Sequence, residues 1–259
     1  ILRFMPKPLQ WLTKVMSGGK DKVPEGVEIK EQYCTAIPIG TAIAQSWNTA
    51  FAEICGDIVG DEMERFHVDL WLAPALNIHR HILCGRNFEY YSEDPLISGK
   101  MAAAITKGVQ QHSGKGTTIK HFCCNNQEKN RVNSNSSVSE RALREIYLRG
   151  FEICIKESSP KALMTSYNLL NGVHTACHQN LLNSYLRGEV GYKGLVMTDW
   201  MVQGASMVKD PKYPQAVSKD IASAGNIMMP GSKADYEALL KAVKNGEVGR
   251  KKLVETASN

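Results

Sequence analysis

Lys193-Gly-Leu-Val-Met-Thr-Asp-Trp200 is a hydrophobic run of strand length that closes on a carboxylate and an indole. A strand buried on both faces reads as continuous Val, Ile and Leu, and a charge at its tail serves nothing in the core. Asp199 therefore either caps a following helix or presents its carboxylate at the rim of a sheet. Trp200 beside it supplies an apolar platform of the kind on which the CH-rich face of a sugar ring packs while charged groups pair with its hydroxyls.

Three other segments share this form. Asp69–Pro74 leads on to Asn77 and His79, Thr117–Phe122 carries Lys120-His121, and Ala162–Tyr167 runs into Asn168, while Asn226–Pro230 is a further short hydrophobic run followed by Gly231. Helical patterns lie between them. Thr49–Phe66 repeats apolar residues at Phe51, Ile54, Ile58, Met63 and Phe66, and Ser137–Ser158 opens on Ser137-x-x-Glu140, the spacing of a capping box. Strands recur roughly every 30 to 48 residues, which predicts βα units around a parallel sheet. The expected class is α/β, a (β/α)8 TIM-like barrel that is incomplete or irregular; an open doubly wound sheet is the competing architecture. In both, ligands bind beyond the carboxyl ends of the strands. A full barrel needs three more strands, which would be short or hidden in Met16–Gly40 and in the tail.

Composition excludes several other classes. At 259 residues, 43% hydrophobic and 22% charged, the chain suits one barrel with an ordinary core. Its longest apolar runs, such as Val68–Leu76, are too short for a bilayer, and Ile1–Met16 carries no secretory pattern. The net charge is +5, and the basic cluster Gly249-Arg250-Lys251-Lys252 lacks interleaved aromatics, so it reads as a solvated helix face and no nucleic-acid partner is expected. Seven cysteines in mostly apolar settings, with no CxxC pair, point to buried free thiols and a cytoplasmic location.

Two further stretches concentrate polar chemistry. Gly85-Arg-Asn-Phe-Glu-Tyr-Tyr-Ser-Glu-Asp-Pro95 places Arg86, Glu89, Glu93 and Asp94 among three aromatics, and Arg86 can donate a fork of hydrogen bonds. Lys120 and His121 are adjacent, so in a regular strand they face opposite ways and meet one ligand only where the strand breaks up. His79-Arg-His81 has the His-x-His spacing of metal-dependent barrel hydrolases. Such a pair normally ends the first strand, however, and a hydrogen-bonding loop histidine is the preferred reading, with no metal or cofactor expected.

From about Thr35 to Gly246 the chain resembles the barrel domain of glycoside hydrolase family 3. The likeness runs in order through Pro38–Asn48, Leu72–Arg80, Gly85–Pro95, Lys120–Glu128, Ser139–Tyr147, Met164–Asn168, Leu186–Glu189, Gly194–Trp200 and Ala224–Gly231. It implies a connector and barrel start over 1–34 and the barrel domain over 35–259. It also implies a retaining β-glycosidase with Asp199 as nucleophile. Arg86, Lys120, His121, Arg131 and Tyr167 would hold the sugar, with Met164 and Trp200 lining the subsite. The implied substrate is a β-linked gluco- or xylo-oligosaccharide or glycoside. Lys120, Arg86 and Arg131 would hold the Asp199 pKa low, because cations favour the charged form.

Two features depart from the family pattern. The usual acid/base is a Glu in a separate αβα sandwich domain, which 259 residues do not accommodate, and the sequence Lys120-His-Phe-Cys-Cys-Asn125 differs from the run that introduces a barrel-loop acid/base in a hexosaminidase-like subgroup. The expected partner is therefore a sandwich domain, and Ile1–Lys20 reads as the trailing end of a connector. An Asp-Gly-Pro motif is also missing before Thr35, where only Asp21 occurs. A non-catalytic carbohydrate-binding fragment and a metal-dependent hydrolase using His79 and His81 are the alternatives.

Overall fold

The computed structural model describes residues 33–202 and 216–258. The readings placed on Ile1–Lys20, on Asp21 and on most of Met16–Gly40 lie outside the described residues. Contacts divide the chain into two units between Cys34 and Thr35, and the barrel fold belongs to the second.

Five strands form one parallel sheet: β1 (Leu70–Trp71), β2 (Gly116–Phe122), β3 (Ala162–Thr165), β4 (Leu195–Trp200) and β5 (Ile227–Met229). Each pairs with the next in sequence, and each crossover contains a helix. A doubly wound sheet reverses its strand order at a switch point, whereas a barrel advances strand by strand. The order in this sheet never reverses, so this is a TIM-barrel-like α/β fold, present as a curled, incomplete barrel. After α4 (Ser218–Ser223) and β5, the tail supplies α5 (Lys233–Lys244) and α6 (Arg250–Ser258) rather than the strand expected there. The basic cluster opens α6, with Arg250 and Lys251 exposed as a solvated face requires.

Alternation along the strands sorts the core. Leu163 of β3 and Val196 of β4 join the large outer cluster beneath the helices, with Ile105, Phe151, Cys154 and Leu186. Ala162 and Met164 of β3, with Leu195 and Met197 of β4, form an inner cluster with Leu72 and Met229. Side chains two apart share a face, so the row Leu195, Met197, Asp199 delivers the carboxylate to the barrel interior at the carboxyl end of β4.

The helices α1 (Thr49–Arg65) and α2 (Pro95–Gln110) pack face to face. Their contact is built largely on small residues, and the apolar stripe read from the sequence is only partly turned inward, with Met63 buried and Phe51 packed against the core. Ala52, Cys55, Gly56, Gly60 and Met63 are buried, while Ile54 is 57% exposed. A Cβ added at Gly108 would meet the Glu53 carbonyl oxygen at 2.1 Å, and one at Gly56 the Ile105 oxygen at 2.2 Å. Gly108→Ala is expected to destabilise the fold by at least about 1–3 kcal/mol, the usual cost of overpacking, measured by urea unfolding; an unchanged midpoint would show that the helices can separate freely.

His112 ties the end of α2 back to α1. Its Nε2 lies 2.9 Å from Asp57 Oδ1 and its Nδ1 3.2 Å from Glu64 Oε1. The Asp57 hydrogen bond, opposed by burial and aided by Glu64, raises the imidazole pKa. A raised histidine stabilises fully below its ordinary value of about 6.5, and that contribution fades as pH rises through the folded value. His112→Gln should therefore lower Tm at pH 5.5 and leave it nearly unchanged at pH 9. Equal losses at both would assign the residue to packing alone.

The segment that opens the helical part of the second crossover, between β2 and β3, differs from its expected form. Ser139, not Ser137, caps it, accepting from Ala142 N at 3.3 Å. A π-helical stretch, Leu143–Tyr147, then precedes α3 (Arg149–Ser158). A separate small sheet joins Asn135–Ser136 to the hairpin Leu169–Leu170 and Val173–His174. Asn171 and Gly172 turn that hairpin with φ of 49° and 88°, the pair of positive angles that a two-residue type I′ turn requires.

Candidate active site

Asp199 is only 6% exposed. Its Oδ1 accepts from the Trp200 amide at 2.7 Å. Its Oδ2 is buried without a hydrogen-bond partner among the described residues and lies 3.9 Å from His121 Nε2. Burial raises the carboxyl pKa, and the Trp200 amide, Arg86, the Tyr167 hydroxyl and Arg131 pull it the other way without prevailing. The expectation that cations hold this pKa low is thus corrected. The cations act in the expected sense, but removing the carboxylate from water outweighs them.

The strand ends bring the other groups to the same rim. The register of β2 against β3 shifts between Ile119 and Phe122, breaking the alternation just where Lys120 and His121 lie. His121 is buried and clamped by Asn77, whose Nδ2 donates to the His121 carbonyl at 2.9 Å and whose Oδ1 accepts from the His121 amide at 2.8 Å. Burial, followed by Arg86, Lys120 and Arg131, pushes the imidazole pKa well below its ordinary value. Lys120 is lowered as well, by burial first and Arg86 after it, against the pull of Glu89 and Asp199.

Arg86 and Lys120 share one counter-ion. Arg86 Nε bonds Glu89 Oε1, and Lys120 Nζ lies 3.9 Å from Glu89 Oε2. Arg131 repeats the design, donating to Glu128 Oε2 at 2.7 Å and laying its guanidinium 4.6 Å from the centre of the Tyr167 ring. The Tyr167 hydroxyl donates to the Trp200 carbonyl at 2.8 Å. Burial, with Asp199 next, pushes its pKa up to about 12, so it remains a donor. Contacts join Asp199 to His121 and Trp200, and through Trp200 to Tyr167 and Arg131, while Arg86 and Lys120 act on it through their charge.

Met164 stands apart. It is 2% exposed, within the inner apolar cluster with Met197. Trp200, 45% exposed, keeps the open platform read from its sequence. Asn77, Glu89 and Glu128 were not among the expected site residues. The two glutamates each sit three residues from the arginine they hold, a helical-turn spacing that was visible in the sequence. Glu128 also walls a cavity of about 500 Å³ with Arg80, Leu83, Asn126 and Tyr147, and Asp199 is not among its walls.

The metal reading gains no geometric support. His79 Nε2 sits 2.9 Å from the Asn87 carbonyl, and His81 Nδ1 accepts from the Leu83 amide at 3.1 Å. Among the described residues no three His, Cys, Asp or Glu side chains are grouped to hold an ion.

An incomplete parallel barrel with a buried carboxylate at its rim, in the field of arginine and lysine and beside a histidine, defines a TIM-barrel-like α/β domain with a candidate active site at the carboxyl ends of its strands. The chain belongs to glycosyl hydrolase family 3: the family model described as "Glycosyl hydrolase family 3 N terminal domain" matches residues 19–258. Beta-glucosidase B of Emericella nidulans is 42% identical over 225 residues, covering 86% of this chain and 25% of that protein. An exo-alpha-(1->6)-L-arabinopyranosidase of Bifidobacterium breve is 39% identical over 218 residues, covering 83% of this chain and 27% of that one. Among solved structures, beta-glucosidase 3B from Thermotoga neapolitana in complex with glucose superposes with a TM-score of 0.82 at 43% identity, over 92% of this chain and 32% of its own. The chain thus spans about a quarter to a third of these relatives. No helix among the described residues is long and apolar enough to cross a membrane.

Proposed function

We propose that this chain is the nucleophile-bearing barrel of a retaining β-glucosidase. The observation that carries the reading is Asp199 Oδ2, a buried carboxylate oxygen with no partner among the described residues, set among three cationic side chains and a histidine. An oxygen so placed is desolvated and free to attack. In the first step it bonds to the anomeric carbon, the glycosidic C–O bond breaks, and an acid protonates the departing oxygen. In the second, water activated by the same group displaces the carboxylate. Arg86, Lys120, His121, Arg131 and Tyr167 hold the ring hydroxyls, and Trp200 covers an apolar face. Hydrogen bonds from such groups contribute to rate to the extent that they tighten as the ring flattens.

The acid/base of this reading is a Glu carried by a sandwich domain of the whole protein rather than by the barrel. Of the glutamates in the site, Glu89 and Glu128 are both engaged in ion pairs. The relatives include a pentosidase, so β-xylosides and other pentopyranosides without a C6 carbinol are the alternative substrates to glucosides. Proton NMR of the first product from an aryl β-glucoside tests the mechanism. Initial release of the β-anomer is expected, and initial release of the α-anomer would overturn a retaining enzyme.

A further inference from the structure

The geometry points to Asn77 as a positioning residue that keeps the proton of His121 on Nδ1, so that Nε2 is a bare acceptor and Asp199 Oδ2 remains free to attack. This rests on the glycosidase reading for its kinetic consequence, but not for its structural content.

The assignment follows from donors and acceptors. Asn77 is buried, and its amide orientation is fixed by two backbone groups: Nδ2 donates to the His121 carbonyl, and Oδ1 accepts from the His121 amide. The same Oδ1 lies 3.2 Å from His121 Nδ1. An amide oxygen only accepts, so Nδ1 must carry a hydrogen. Burial among Arg86, Lys120 and Arg131 keeps the ring neutral, leaving no second proton for Nε2. Two acceptors, His121 Nε2 and Asp199 Oδ2, therefore face each other 3.9 Å apart.

That arrangement discriminates between proton placements. A bare Nε2 receives the proton of a bound ring hydroxyl and takes nothing from the carboxylate. A protonated Nε2 would point its hydrogen at Oδ2 and, with slight closure, tie up the lone pair that forms the glycosyl ester. Asn77 would thus act through His121, without touching the sugar.

Selective 15N-histidine labelling tests the proton directly. Long-range 1H–15N correlations of His121, assigned by the signals lost in His121→Asn, should show Nε2 unprotonated and Nδ1 protonated. A protonated Nε2 in the unaltered chain would overturn the proposal, and this reading needs no variant to fold. Asn77→Asp keeps an accepting oxygen but adds a charge that favours the imidazolium. Its His121 should gain a proton on Nε2, and its labelling rate constant with a 2-deoxy-2-fluoro-β-glucosyl fluoride should fall at least about tenfold, the scale of lost outer-sphere positioning. A folded variant with an unchanged proton pattern and unchanged labelling rate would refute the idea. If the parent chain is not labelled at all, the glycosidase reading fails, while the NMR result still decides the tautomer.

Discussion

Asp199→Asn is expected to reduce turnover of an aryl β-glucoside by at least about 10⁴-fold, because an amide cannot form the glycosyl ester on which both steps depend. The same substitution should raise Tm at pH 7. Burial raises the Asp199 pKa above its unfolded value. A carboxyl so raised binds more protons folded than unfolded, so the native state loses stability as pH climbs past the ordinary aspartate value of about 3.9. Asparagine keeps the oxygen that accepts from the Trp200 amide and removes the desolvated charge. The gain in Tm should therefore shrink as pH approaches 3. A variant that is both inactive and less stable at pH 7 would mean that Asp199 serves chiefly as a structural anchor.

The second large effect concerns the leaving group. If the acid is supplied from outside this chain, the isolated 259 residues should turn over a dinitrophenyl β-glucoside, whose aglycone leaves without protonation, far better than cellobiose. General acid assistance contributes about 10² to 10⁴ in rate, and the gap between the two substrates should be of that order beyond their gap in an intact relative. Equal kcat/KM for both would place a working acid within this chain, with Glu89 or Glu128 as the first residues to replace.

Much of this was legible in the sequence, for a physical reason. Four of the five strands announce themselves by a hydrophobic run that ends in or leads to groups a core would reject, and Asp199, Lys120 and His121 were singled out by that criterion. The helices were less transparent. The α1–α2 contact depends on glycines whose role is the absence of a side chain, which no hydrophobic period records, so Phe51, Ile54 and Ile58 drew attention away from Ala52, Gly56 and Gly60. The hairpin at Asn171-Gly172 carries a plain turn signal, but its strands are two residues long, too short to show an alternation. The direction of the Asp199 pKa was misjudged since charges can be counted along a chain, whereas burial appears only after folding. Asn77 shows the same limit from the polar side. Its residue type is ordinary, and its importance lies in a pairing with His121 across 44 positions.

The most direct measurement is mass spectrometry after incubation with a 2-deoxy-2-fluoro-β-glucosyl fluoride. One glycosyl unit per chain is predicted, in the peptide spanning Gly194–Trp200 and on Asp199 itself. Absence of any adduct, or an adduct on another carboxylate such as Glu89, would contradict the assignment of Asp199 as the nucleophile.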